Sequence, residues 1–356
     1  MLTFLPRSLL YVTSHRLPSS SDFFVCLFRG VSPYQDLVGM DDITPVPFYA
    51  DLLDNISEVP LCISRNEAHL SESPSVPRLI KLTYMFVKKA AYLIIAMAAI
   101  ATAYGQTTYL GFDRNDYPGD ANLKTLRQTF SYTGYWLNNP PGASSNGWAG
   151  HRAGVESLGF GFLVLFNGRL DAQLKTVANA TRLGKTDALA AVSAARREGF
   201  PGATIIFLDQ EEGGRMLPEQ KAYIYAWVDG VTAAGFRAGI YCSGIPAPDD
   251  GNVVTAEDIR QSAGKREIVY WAINDACPPA PGCVFPQHPP GSAQSGVRFA
   301  EVWQFAQSPR RKDVAAQCTN YSHDGNCYPP KTEASQGLHI DVNTATSPDP
   351  SHARTR

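Results

Sequence analysis

The chain has 356 residues, a formal net charge of −2 and 18% charged residues. A near-neutral chain with no basic stripe excludes a nucleic-acid partner held through its phosphates. No C-x-x-C pair occurs among its seven cysteines, and there is no Gly-rich phosphate loop and no G-x-S-x-G elbow. The common zinc frameworks, P-loop nucleotide chemistry and serine hydrolysis are therefore set aside.

Residues 1–84 are broken by Pro18, Pro33, Pro45, Pro47, Pro60, Pro74 and Pro77 and show no sustained helical or strand period. They are expected to be a disordered or mis-assigned upstream extension. Met85-Phe86-Val87-Lys88-Lys89 is followed by an uncharged, mostly apolar run from Ala90 to Ala101 and by Ala101-Thr102-Ala103. A basic start, an apolar stretch and a small-x-small site describe a secretory signal peptide over 85–106, with Met85 as the natural start. The apolar run is shorter than the roughly 20 residues of a membrane span. The expectation is a secreted, periplasmic or cell-envelope protein with no stable membrane anchor after cleavage.

Regular alternation begins near residue 107. Thr108 to Asp113 reads as a strand, Ala121 to Phe130 as a helix, and Tyr132 to Leu137 as a second strand. After a loop from Asn138 to Gly147 come a helix over Trp148 to Ser157 and a third strand over Gly159 to Phe166. Thr186 to Glu198 is the clearest helix, with Thr186 as N-cap and Gly199 as stop. The fourth strand, Ala203 to Asp209, runs into Gln210-Glu211-Glu212-Gly213-Gly214. Glu219 to Ala234 is an amphipathic helix, Arg237 to Ser243 the fifth strand and Thr255 to Ser262 a short helix. Strands six to eight are Glu267 to Ile273, Ala300 to Ala306 and Leu338 to Asn343, and residues 347–356 read as a loose tail.

Eight strands mostly alternating with helices over 107–346 predict a single-domain α/β fold, a (β/α)8 TIM-type barrel. A doubly wound open sheet is the runner-up, but its usual Gly-rich first turn is missing. Cys277 and Cys283 bracket a Pro-rich loop, and Cys318 and Cys327 bracket another. Local disulfides Cys277–Cys283 and Cys318–Cys327 are expected in an oxidising compartment, with Cys242 a buried thiol.

Three strand ends carry acids: Asp113, the pair Asp209 and Glu211, and Asp341. Side chains alternate along a strand, so Asp209 and Glu211 point the same way. In a closed barrel, acids from the first, fourth and eighth strands meet at one mouth, where such folds place their chemistry. Crowded carboxylates raise one another's pKa, which leaves one protonated as an acid. Glycoside hydrolysis requires such a pair. Flat rings suit sugar faces, which makes Tyr135, Trp136, Tyr241, Tyr270, Trp271 and Trp303 candidate substrate contacts, with Gln304 and Asn343 as polar partners. Clustered acids also suit Mg²⁺ or Ca²⁺, but no ligand-spaced acidic loop appears, and no metal or other cofactor is expected. His151, His288, His323 and His339 are scattered and read as surface or structural, and Asp116 and Glu212 as solvated.

Gly111-Phe112-Asp113, Phe207-Leu208-Asp209-Gln210-Glu211, Ile240-Tyr241-Cys242-Ser243, Trp303-Gln304-Phe305 and Ile340-Asp341-Val342-Asn343 resemble, in order and spacing, glycoside hydrolase family 25. The chain is still more similar to the related glycoside-hydrolase-like domain of unknown function 1906. That domain shares the Gly-Phe-Asp start and a segment like Gly184-Lys185-Thr186-Asp187-Ala188. The resemblance covers about residues 108–345. It implies a muramidase-type barrel that cleaves β-1,4 bonds of peptidoglycan or a related N-acetylated glycan without a metal. It implies Glu211 as general acid, Asp209 as the carboxylate that stabilises charge or orients the N-acetyl group, and Asp113 and Asp341 as supporting acids. The Pro-rich insert from Cys277 to Gly291 departs from the muramidase pattern. The alternative reading is a catalytically silent glycan-binding or cell-envelope protein on the same barrel.

Overall fold

The computed structural model describes strand residues 10–16, 23–29 and 61–64, and residues 107–248, 251–331 and 337–355. The chain divides into two compact units, Met1–Ala103 and Tyr104–Arg356. In the first, β1 (Leu10–Arg16), β2 (Phe23–Arg29) and β3 (Leu61–Ser64) pair as an antiparallel sheet in that order. Three paired strands depart from the patternless extension expected there. The signal-peptide segment 85–106 lies outside the described residues. Among the described residues no helix is long and apolar enough to cross a membrane.

The second unit is a closed barrel of eight strands. They are β4 (Tyr109–Asp113), β5 (Tyr132–Trp136), β6 (Gly161–Asn167), β7 (Ile205–Asp209), β8 (Arg237–Ser243), β9 (Ile268–Ile273), β10 (Ala300–Ala306) and β11 (Asp341–Ala345). Between them lie α1 (Asp120–Leu126), α2 (Arg152–Ser157), α3 (Asp171–Leu174), α4 (Val177–Glu198), α5 (Pro218–Ala233) and α6 (Thr255–Ser262). β6 and β7 are apolar and buried almost throughout, as strands covered on both faces must be. Closure rules out the open doubly wound sheet.

Seven strands run parallel, but β11 is antiparallel to both its neighbours, β10 and β4. The eighth strand therefore begins at Asp341 instead of ending near it. Because it runs backwards, its first residue lies at the same mouth as the last residue of β4, and Asp341 is paired with Asp113. The expected place of the acid holds although the expected strand direction does not.

α4 starts nine residues before the expected Thr186 (186 − 177), with Thr176 as the cap that accepts from the Asn179 amide at 3.2 Å. Thr186 instead turns its hydroxyl back to the Arg182 carbonyl. The disguise is Gly184. A Cβ there would lie 3.0 Å from Ala226 Cβ of α5, so it marks a close helix crossing and not a helix boundary.

The final residues are not a loose tail. Phe162 N donates to Asp349 Oδ1 at 2.9 Å, Val164 N to Ser351 Oγ at 2.8 Å, and Ile205 N to the Ser351 carbonyl at 2.8 Å. Ser351 and Ala353 are fully buried. The tail thus caps the amides at the starts of β6 and β7. Its polar composition hid this, because it supplies hydrogen bonds instead of apolar area. Neither expected disulfide forms: Cys283 is bonded to Cys327, and Cys277 and Cys318 are free. Both bracketed loops lie on one side of the barrel and face each other, so pairing runs between loops and not within them.

Candidate active site

A cavity of about 450 Å³ opens at the ends of β4, β5 and β7–β10 and the start of β11. Asp113, Asp209, Glu211 and Asp341 all line it. Alternation on β4 turns Asp113 into the barrel, and Gly134 on β5 gives it room. A Cβ at Gly134 would stand 2.6 Å from Asp113 Cβ.

Asp113 and Asp341 are tied into a polar floor. Asn343 Nδ2 donates to Asp113 Oδ1 at 2.7 Å, and Gln304 Nε2 reaches Asp113 Oδ1 at 3.1 Å and Asp341 Oδ2 at 3.3 Å. Tyr241 OH donates to Gln304 Oε1 at 2.7 Å, which fixes the orientation of that amide. Trp271 Nε1 donates to Asn343 Oδ1 at 3.0 Å and does the same for the second amide. The Tyr241 and Trp271 rings meet edge-on, 4.5 Å apart.

Asp209 is different. It is buried, yet neither carboxylate oxygen has a hydrogen-bond partner. Burial, reinforced by Glu211 and Asp113, holds its carboxyl well above the usual carboxylate range. Burial also raises Glu211, which remains open to the cavity solvent. Asp113 is pushed up to about 6 by burial against the opposing pull of Asn343 and Gln304. Asp341 is raised by burial and by Asp113. Each of the four acids thus holds its proton to higher pH than a free carboxylate does.

Of the eight expected substrate contacts, Trp136, Tyr241, Trp271 and Gln304 line the cavity, and Asn343 lies directly beneath it. Tyr135, Tyr270 and Trp303 do not. Tyr135 points outward, packs on Trp148, Phe162 and Phe200, and donates to Glu198 Oε2. Tyr270 packs on Phe299 and lines a separate cavity of about 430 Å³ at the strand starts. Trp303 Nε1 donates to the Asn274 carbonyl, away from the acids. Each is the neighbour of a residue that does face the site, and consecutive strand residues cannot share a face.

Sequence reasoning missed Arg114, Asn115, Gln307 and Ser308, which also line the cavity. Ser308 N donates to Asp341 Oδ1. The position of Arg114 and Asn115 directly after Asp113 was the available signal; Ser308 is brought in by a long loop and left none. His339, read as surface or structural, lines the cavity too. Asp116 is solvated as expected, but Glu212 accepts from Asp171 N and Gln220 Nε2 and so braces α3 and α5. Among the described residues no group of three or more His, Cys, Asp or Glu side chains is placed to hold a metal ion.

Residues 135–277 match the family model described as Rv2525c-like, glycoside hydrolase-like domain. No curated protein matches the chain. Among solved structures, an uncharacterized protein of B. stearothermophilus is similar at 21% identity over 67% of this chain and 95% of its own, with a TM-score of 0.44. The Tat-secreted protein Rv2525c of Mycobacterium tuberculosis, in complex with L-tartrate, is similar at 13% identity over 70% and 100%, TM-score 0.43. The spore cortex lytic enzyme SleM of Clostridium perfringens is similar at 16% identity over 67% and 68%, TM-score 0.42.

Proposed function

We propose that the chain is an exported glycoside hydrolase that cleaves β-1,4 bonds of peptidoglycan or a related N-acetylated glycan. The observation that carries this reading is the inequality of the two carboxyls on β7 and its following loop. Asp209 is buried without a hydrogen-bond partner, while Glu211, two residues on, is open to the same cavity. Catalysis by paired carboxyls needs one group to hand a proton to the leaving oxygen and another to act at the sugar. Glu211 suits the first task, since burial raises its pKa and solvent can resupply its proton.

Asp209 suits the second task. Its two oxygens take no hydrogen bond from the protein and the residue lines the cavity, so a substrate N-acetyl N–H is a donor of the right kind. Hydrogen bonds to the charged form of a carboxyl favour that form. Substrate binding would then draw Asp209 toward ionisation as positive charge develops at the anomeric carbon. Trp136, Tyr241 and Trp271 supply apolar walls for the ring. The match to a glycoside hydrolase-like domain model over 135–277 supports the same class. Export is supported by the basic-apolar-small segment at 85–106 and by the Cys283–Cys327 disulfide.

The test is reducing-end release from purified peptidoglycan by the full chain beside Glu211→Gln. We expect release by the parent and a loss of at least ~100-fold in the variant, the scale of a missing general acid. Absence of release from a folded parent that still binds the glycan would overturn hydrolysis in favour of a silent binding protein.

A further inference from the structure

The four cysteines between β9 and β11 form two facing pairs. Cys283 and Cys327 are joined, with Cα atoms 5.6 Å apart. Cys277 lies six residues before Cys283, and Cys318 nine residues before Cys327 (283 − 277 and 327 − 318). Cys318 is close enough to Cys277 to help raise its pKa. Both also approach one carbonyl, that of Asp275, with Cys318 Sγ at 3.2 Å and Cys277 Sγ at 3.8 Å. Both are buried.

The backbones are in contact at the same place. A Cβ at Gly282 would lie 2.6 Å from the Thr319 carbonyl oxygen and 3.5 Å from Cys277 Sγ. Arg311, on the second loop, donates to buried Asp275 at 2.8 Å and holds the loops together with charge. The two thiols thus sit at one carbonyl on backbones that touch, and a disulfide requires close backbones.

We propose that Cys277 and Cys318 form a second disulfide beside Cys283–Cys327, making a two-rung clasp between the Pro-rich insert and the β10–β11 loop. With glutathione disulfide as oxidant, one protein thiolate attacks a glutathione sulfur and releases one glutathione. The other protein thiol then displaces the second glutathione from the mixed disulfide. The two protein thiols are oxidised, glutathione disulfide is reduced to two glutathiones, and the protons pass from the protein thiols to those products. Burial pushes the Cys277 thiol up to about 12 in the closed fold, so the thiolate is accessible chiefly while the loops are still open.

The clasp bears on the cavity. The β10–β11 loop contributes Gln307, Ser308, Gly337 and His339 to the cavity wall, and Ser308 N holds Asp341. One rung holds the 318–327 part of that loop to the insert at one point, and two rungs hold it at two. The clasp does not depend on what the cavity acts on.

The test is a disulfide map of the full chain refolded in reduced and oxidised glutathione, then quenched with N-ethylmaleimide in denaturant. Cleavage before Asp275, Asp313 and Asp324 puts Cys277 with Cys283 on one fragment and Cys318 and Cys327 on two others. We expect all three fragments joined as one species, with Cys242 alkylated. Alkylated Cys277 and Cys318 in chains whose Cys283 and Cys327 are bonded would overturn the proposal. Cys283→Ser/Cys327→Ser separates the ladder from crossed pairing. In that variant the fragment carrying Cys277 remains joined to the one carrying Cys318, and separate fragments from a folded variant would count against the clasp.

Discussion

At Asp209 two carboxylate oxygens are taken out of water and given no protein donor. Such a group resists ionisation, and the fold is weakened wherever pH forces the charge. The sign follows from linkage: a folded-state pKa raised above the unfolded one means that the native state holds the extra proton. Its stabilising contribution is complete below the unfolded pKa and lost as pH rises through the folded one. For Asp113, raised to about 6, that window runs from about 4 to about 6. Asp209→Asn removes the charge without removing the shape. We expect its melting temperature at pH 7 to exceed the parent's by several degrees, with the gap closing below pH 4; a lower melting temperature at pH 7 would contradict this. Hydrolysis, in contrast, should fall on the alkaline side as Glu211 loses its raised proton, a limb readable in kcat against pH. All four acids were legible in the sequence because strand ends and alternation locate them. Their electrostatic inequality was not legible, since it depends on which oxygens find donors across the barrel.

At the scale of elements, strand alternation decides what composition leaves open. Tyr135-Trp136, Tyr270-Trp271 and Trp303-Gln304 each present two plausible contacts, and the pleat admits one of each to the cavity. The sequence carries that constraint but not its phase, which the paired neighbours set. α4 offers a second case. Its Asp187 was visible only as part of a motif. In the fold it is buried and bound by Arg169, whose Nη2 donates to Oδ1 at 2.8 Å, and by the Tyr223 hydroxyl at 3.0 Å. This joins the loop after β6 to α4 and α5. Asp187→Asn strands a guanidinium beside a buried amide and should lower stability by about 3 kcal/mol, read from urea midpoints at unchanged slope. A shift under ~0.5 kcal/mol, the range of ordinary surface changes, would show the pair to be dispensable.

For the molecule as a whole, eight strands, their order and the barrel were legible from apolar runs at regular spacing. The reversed β11, the structured tail and the disulfide partners were not, because each depends on residues far apart in the chain. The tail makes the point energetically. Gly161 on β6 has no side chain, and the backbone of Pro348 and Asp349 occupies that space. Removal of residues 348–356 uncovers amides at the starts of β6 and β7, each worth about 1–3 kcal/mol when a buried donor is stranded. The truncated chain should therefore melt well below the parent, and an unchanged melting curve would contradict the capping role.

The reversed β11 has a consequence in time. The cavity floor is made of Asp113 from the first barrel strand and Asp341 and Asn343 from the eighth, 228 and 230 positions later (341 − 113 and 343 − 113). Among the described residues β11 alone bridges β10 and β4 to close the barrel. While the chain is being synthesised or threaded outward, every earlier strand, the β7 acids included, can be present and the floor still missing. If the site cuts a cell's own wall, the enzyme is harmless at every intermediate length and acquires its chemistry in a single late step.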